Sequence, residues 1–305
     1  MKILGIGESV IDKTYITEGT KVPDDVVPDT HVGGPVLISM ILLARLEHEC
    51  SFITTLGRDD EGGIIKSTLY KEKVYMFSEF KDKTKVNSIL IDPKSGRRTK
   101  LRGRVKHPAM HSIEPDVIRQ FDIIIIDRHH KEAFFDVVKF KKPSAKIIID
   151  PSTEVSDFTL AMIKFADYPI VPIESLTKTE GENLHASLKN MYASTKKPLI
   201  ITAGEMGSIV YDGVSMQLIP ALAVRSVDST GAGDIYRGAF AYGVTQNWDV
   251  QQCVEYATCV AGIHCTKYGN AAAIPTKMEI DHCFAQQNNK KLLTEPTINR
   301  YFETL

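Results

Sequence analysis

Six short apolar runs recur along the chain: Lys2 to Gly7, Ser51 to Leu56, Ile123 to Ile126, Ile147 to Asp150, Tyr168 to Val171 and Leu199 to Thr202. They are near-continuous rather than alternating, so a strand formed by such a run must be covered on both faces. Strands buried on both sides belong to parallel sheets, and parallel neighbours need crossover connections of helical length, which the intervening segments supply. The expectation is an α/β layered sandwich with a mostly parallel central sheet and helices above and below. Ligands bind such sheets beyond the carboxyl ends of the strands. Two stretches break the rhythm. Lys13 to Val32 is polar and carries Pro23 and Pro28, and Tyr75 to Lys106 reads as strand, turn and strand around Asp92-Pro93-Lys94-Ser95-Gly96.

Val227-Asp228-Ser229-Thr230-Gly231-Ala232-Gly233-Asp234 joins a glycine-rich turn to a helix predicted from Ile235 to about Gly243, with a carboxylate at the junction. Gly231 and Gly233 have no Cβ, so successive backbone N–H groups can point at one anion, and the positive end of the helix adds to the attraction. A bound phosphate would repel Asp234. That residue is therefore better suited to taking a proton from an attacking hydroxyl than to holding phosphate. The layout is that of a phosphoryl-transfer site. The same residues also fit a plain helix cap, with Asp228 or Asp234 satisfying free N–H groups after a tight turn.

At 305 residues, 43% hydrophobic and 25% charged, the chain has ordinary globular usage and can bury roughly three quarters of its unfolded surface. A formal net charge of −1 argues against nucleic-acid or membrane-surface binding, which would show a basic excess. Met1 to Gly7 is too short and glycine-broken for a signal peptide, and no apolar run approaches the roughly 20 residues of a membrane span. A cytoplasmic protein is expected. Its five cysteines fit that compartment. Cys253, Cys259 and Cys265 recur every six residues, which suits neither a zinc site nor one helical face, so they are read as buried or half-buried free thiols. His129 and His130 follow the strand Phe121 to Asp127; adjacent histidines point different ways, and they are read as structural.

DSTGAGD followed by IYRGAF closely resembles the second signature of the ribokinase-like (PfkB) carbohydrate kinases. Four further segments match that family in order. Gly5-Ile6-Gly7-Glu8-Ser9-Val10-Ile11-Asp12 looks like its first strand and sugar-binding Asp, and Gly33-Gly34 before the apolar helix Val36 to Leu46 is similar to its di-glycine hinge. Thr54-Thr55-Leu56-Gly57-Arg58-Asp59-Asp60-Glu61-Gly62 resembles its "vG.D.fG" turn, and Ile200-Ile201-Thr202-Ala203-Gly204-Glu205-Met206-Gly207 its nucleotide-side "TxGxxG" segment. Ordered matches spanning about residues 1 to 280 are far more specific than one glycine motif.

The resemblance implies a ribokinase-like three-layer sandwich forming a single domain over residues 1–305. A small β lid over the sugar site is expected from segments 13–32 and 75–106, and two copies would pair through it. It further implies ATP-dependent phosphorylation of a hydroxyl on a small sugar or sugar-like substrate, with Mg²⁺ bridging the phosphates. Asp234 would be the base and the backbone of Gly231, Ala232 and Gly233 the anion hole. Asp12, Gly33 and Gly34 would hold the substrate, Thr202, Gly204 and Gly207 would border the nucleotide, and Asn270 would lie near the adenine. Without the resemblance, Asp12 and the Thr202 segment are turns after strands.

Two departures bear on function. The family's Asn four residues after the second hinge glycine is Ile38 here, and the two polar positions of its Asn-x-x-Glu motif, tied to magnesium and phosphate, are Ile173 and Leu176. Glu174, or an acidic residue of the Thr179 to Glu182 turn, would have to take over the metal contact. A nucleoside kinase of the same fold is an alternative; it would need a base platform such as Tyr15, Tyr75 or Phe77. A non-catalytic sugar or nucleotide sensor is another, although a pure sensor has no need of Asp234. Independently of the family, Arg98, Lys100, Arg102, Arg104 and Lys106 are basic and two apart, so on a strand they line one face. That face is either a solvated lid surface, which discourages edge pairing, or a substrate-facing stripe favouring an anionic acceptor, with Arg98 the first substrate-binding candidate.

Overall fold

The computed structural model describes residues 1–17, 21–22, 25–92, 98–105, 112–176, 184–287 and 293–294. In chain order the elements are β1 (Lys2–Ile6), β2 (Val10–Ile16), β3 (Asp29–Gly33), α1 (Pro35–Arg45), β4 (Glu49–Gly57), α2 (Asp60–Lys71), β5 (Tyr75–Lys81), β6 (Lys85–Ile91), β7 (Arg98–Leu101), α3 (Pro115–Ile118) and β8 (Ile123–Asp127). They continue with α4 (Lys131–Phe140), β9 (Lys146–Asp150), α5 (Asp157–Phe165), β10 (Ile170–Pro172), α6 (Leu184–Thr195), β11 (Leu199–Thr202), β12 (Ser208–Tyr211), β13 (Met216–Ile219), α7 (Ala232–Thr245), α8 (Val250–His264), α9 (Lys277–Gln287) and β14 (Leu293–Thr294). Each of the six apolar runs coincides with a strand.

The main sheet has the order β5-β4-β1-β8-β9 and is parallel throughout. A parallel bridge between Ile148 and Tyr168 leads from its β9 edge toward a second sheet, β10-β11-β12-β13-β14, in which only β10 and β11 run parallel. Side-chain alternation along the buried strands feeds two cores. Ile3, Ile123, Ile125 and Ile148 join Phe52, Leu37 and Phe240 on one face, whereas Leu4, Ile124, Ile126, Ile147 and Ile149 join Phe134 and Met162 on the other. Helix α1, buried along Val36 to Leu43, lies on the first face against α7. Caps fix several helix starts: Asp59 accepts from Gly62 N at 2.9 Å, and Asp249 and Gln252 form a reciprocal box.

The third sheet is the lid, ordered β3-β2-β6-β7, with β2 and β6 parallel and the other pairs antiparallel. Its extent differs from the expected segments. Tyr75–Lys81 belongs to the main sheet, paired with β4 from Ser51↔Tyr75 to Gly57↔Lys81. As an edge strand it alternates exposed and part-buried residues, so it has the pattern of a lid strand rather than of a run covered on both faces. On the other side the lid begins at Val10, earlier than Lys13. Pro23, residues 93–97, Lys106 and the Thr179 to Glu182 turn lie outside the described residues. Among the described residues the cysteines form no disulfide; Cys50, Cys253 and Cys259 are buried and Cys265 and Cys283 half-buried. Among the described residues no helix is long and apolar enough to cross a membrane.

Candidate active site

A cavity of about 200 Å³ opens beyond the carboxyl ends of β1, β8 and β9, between the lid and the N-terminus of α7. Its lining includes Asp12, Gly34, Gly231, Asp234 and Asn270, which lie far apart in the chain. The topology brings the substrate-side and phosphate-side candidates into one space.

The α7 end is built around a left-handed Gly231, φ 82°, where a Cβ would lie 2.1 Å from Asn270 Oδ1. Only glycine fits there. Asp228 fastens the turn by accepting from Thr230 N at 2.7 Å and Gly269 N at 3.1 Å. His264 Nε2 donates to the Thr230 carbonyl at 2.7 Å, and burial lowers the ring's pKa. No side chain caps α7. Asp228 therefore stabilises the turn, and the Asp234 carboxylate is left without a capping bond.

Burial raises the Asp234 pKa to about 7; nearby Asp150 adds to the rise, Arg237 and Lys100 oppose it, and Asp12 contributes a smaller upward push. A carboxylate with that proton affinity can exchange a proton near neutral pH. The opposing charge is organised by buried Arg237. Its Nη2 lies 2.9 Å from Asp150 Oδ1, its Nε donates to the Ile149 carbonyl at 3.1 Å, and its Nη1 donates to the Gly233 carbonyl at 3.0 Å. Nη1 is also 4.0 Å from Asp234 Oδ1. Ser39 Oγ donates to the Asp234 carbonyl at 2.6 Å and ties α7 to α1.

On the lid side, Asp12 is 3% exposed. Its Oδ1 accepts from Asn87 Nδ2 at 2.8 Å and lies 3.4 Å from Lys100 Nζ. A Cβ at Gly33 would come within 2.7 Å of Asp12 Oδ2, and one at Gly34, φ 124°, within 2.2 Å of the Glu8 carbonyl, so the glycine pair lets β3 and α1 close against the cavity floor. Glu8 is bound by Lys85 Nζ at 2.9 and 3.0 Å. Asp127 is buried, which raises its pKa, and accepts from the backbone N–H of Glu8 at 2.7 Å and of His129 at 2.9 Å.

Other expected residues fall elsewhere. Ile38 is fully buried in the core, so its position offers the substrate no polar contact. Arg98 pairs with Ile91 in the lid sheet, but its side chain is outside the described residues. Thr202, Gly204 and Gly207 sit at the end of β11 and the turn into β12, and do not line this cavity. A Cβ at Gly207, φ 106°, would lie 2.1 Å from the Ile219 carbonyl, whereas Gly204 has open space where a Cβ would be. Glu174 is exposed on a short turn after β10 and also lies off the cavity, while Ile173 and Leu176 are buried. Among the described residues no cluster of three His, Cys, Asp or Glu side chains could cage a metal. Asp127, Asp150, Lys85 and Asn87 are marked by none of the motifs in the sequence, and Arg237 lies within the IYRGAF segment without a role read for it. Two of them had a signal: Asp127 and Asp150 each end an isoleucine run, at the carboxyl end where such sheets bind ligands. His129 lines the cavity whereas His130 is buried.

The pfkB family carbohydrate kinase model matches residues 2–277. A ribokinase of Lactococcus lactis is 29% identical over 278 residues, covering 88% of this chain and 88% of the relative. A 5-dehydro-2-deoxygluconokinase of Clostridium tetani is 23% identical over 281 residues, covering 82% and 83%. Among solved structures, a ribokinase of Arabidopsis thaliana complexed with ribose and ATP aligns with a TM-score of 0.77 at 17% identity, covering 92% of this chain and 98% of that one. The fold is ribokinase-like.

Proposed function

The chain belongs to the pfkB family of carbohydrate kinases, and we propose that it transfers the γ-phosphoryl group of ATP to a hydroxyl of a small sugar-like acceptor held in this cavity. The observation that carries the reading is Asp234: a carboxylate free of capping bonds, with a pKa raised to about 7, at a helix N-terminus and in one cavity with Asp12.

Asp12 and Asn87 orient the acceptor by its hydroxyls, with Gly33 and Gly34 allowing close backbone approach. Asp234 accepts the proton of the attacking hydroxyl as the new O–P bond forms and the bond to the ADP oxygen breaks. The backbone N–H groups of Gly231, Ala232 and Gly233 stabilise the charge on the transferred group. Thr202 and Gly204 border the nucleotide, Gly207 holds their turn, and Asn270 joins the nucleotide side to the Gly231 turn. Mg²⁺ would supply neutralisation of phosphate charge when bound; among the described residues no group of three His, Cys, Asp or Glu would hold it, and Glu174 is the carboxylate proposed to assist. A nucleoside acceptor is disfavoured because Tyr75 and Phe77 are exposed on the main-sheet edge and neither they nor Tyr15 line the cavity.

Asp234→Asn keeps the side chain's size and removes its proton affinity. ATP binding is expected to survive while kcat falls by about 10²- to 10⁴-fold, the usual cost of losing a general base. A variant that keeps near-normal kcat on the true acceptor would rule out this role.

A further inference from the structure

Lys100, Arg102 and Arg104 have different surroundings. Lys100 lies over Asp12 at 3.4 Å and offsets a buried negative charge. Arg102 and Arg104 are both exposed, but Arg104 does not line the cavity. Arg102 does line it, and its guanidinium has no ion-pair or hydrogen-bond partner among the described residues.

The cavity's carboxylates already have partners. Glu8 has Lys85, Asp12 has Asn87 and Lys100, Asp150 has Arg237 and the N–H of Ser152, Asp127 has two backbone N–H groups, and Asp234 has Arg237 nearby. The lining cation Arg128 is taken by Glu154. Among the described residues Arg102 is thus the arginine or lysine of the cavity lining that no carboxylate answers.

Its position is fixed by the acceptor site itself. The next residue, Gly103, donates its N–H to Asn87 Oδ1 at 3.1 Å, and the same Asn87 donates to Asp12 at 2.8 Å. A Cβ on Gly103 would lie 2.2 Å from the Val86 carbonyl, so glycine is what lets this segment lie against β6. One hydrogen-bonded chain therefore ties the backbone next to Arg102 to Asp12.

We propose that the acceptor carries an oxyanion, a carboxylate or a phosphate ester, gripped by Arg102 while Asp12 holds its hydroxyls. Sugar acids and sugar monophosphates are the substrate class. Arginine suits the task because its planar fork offers two parallel donors to either group. The inference rests on the kinase reading for turnover and on Arg102 for acceptor choice, and the two are tested separately.

ATP consumption and calorimetric acceptor binding are measured with D-gluconate, D-fructose 1-phosphate, D-fructose and D-ribose, for the unmodified protein, Arg102→Ala and Arg102→Lys. At least one acidic acceptor is expected to bind and react better than both neutral sugars. Arg102→Ala should raise its KM and Kd by about 10- to 100-fold, the scale of hydrogen bonds to a charged group, with kcat nearly unchanged and partial recovery in Arg102→Lys. The two acidic arms distinguish carboxylate from phosphate. Arg102-dependent binding of an acid without turnover would uphold the inference and count against the kinase reading. Turnover of a neutral sugar, with acids no better and Arg102→Ala indifferent, would overturn the inference and leave the kinase reading standing. Acid binding that ignores Arg102, or no acid binding at all, overturns it as well.

Discussion

Arg237 and Asp150 act on the proton affinity of Asp234 in opposite directions, and a pair of substitutions can expose both. Arg237 Nη1 stands 4.0 Å from the Asp234 carboxylate. Two unit charges at that distance attract by about 4 kcal/mol at an effective dielectric of about 20, equivalent to roughly three pH units. That is a ceiling, because the guanidinium charge is shared with Asp150 and with the Ile149 and Gly233 carbonyls. A shift of about one unit or more is expected. The assay is the pH dependence of kcat/KM, in which the proposed base role has activity rising as Asp234 deprotonates near 7. Arg237→Gln should move this acid limb upward, and Asp150→Asn, which removes the repulsion while keeping an acceptor for Ser152 N, should move it downward. The double variant should fall near the original value. Each single change breaks a buried ion pair and should cost about 3 to 5 kcal/mol of stability, some of it regained in the neutral, hydrogen-bonded double. Melting measurements therefore accompany the profiles. If the acid limb stays fixed in both folded single variants, Asp234 is not the titrating group and this electrostatic account is refuted.

Asp234 also makes stability depend on pH. Its folded pKa is raised from 3.8 to about 7, so the folded state binds more protons between those values. The contribution is fully present below about pH 4 and is lost as pH rises through about 7, with a swing of at most roughly 4 kcal/mol. Asp234→Asn should flatten this slope and raise the melting temperature at pH 8; an unchanged thermal profile between pH 4 and 8 would contradict the raised proton affinity of this carboxylate. For the metal, Glu174→Gln is expected to raise the Mg²⁺ concentration needed for half-maximal rate more than it raises the acceptor KM. An unmoved metal titration would leave the ion to the nucleotide alone.

The parts of this fold legible in the sequence are those set by local chemistry. Runs such as Ile123 to Ile126 and Ile147 to Asp150 are apolar on both faces, and the structure buries both faces. The Gly231 turn announces itself because one residue must adopt φ 82° where a Cβ would meet Asn270. Tyr75–Lys81 was harder to place because an edge strand of a parallel sheet has one open flank, and its alternation looks like that of a lid strand. What the sequence could not convey is pairing across distance. Asp150 and Arg237 lie 87 positions apart, and no spacing rule links them. Nor does the basic stripe of the lid say which cation is already engaged. That distinction needs the positions of Asp12 and Asn87 on two other strands, because an ion pair forms where the fold brings charges together and leaves its mark on energy rather than on sequence period. Lys100 and Arg102 are equivalent as letters; they differ only because β2 and β6 set Asp12 beneath the first and leave the cavity open before the second.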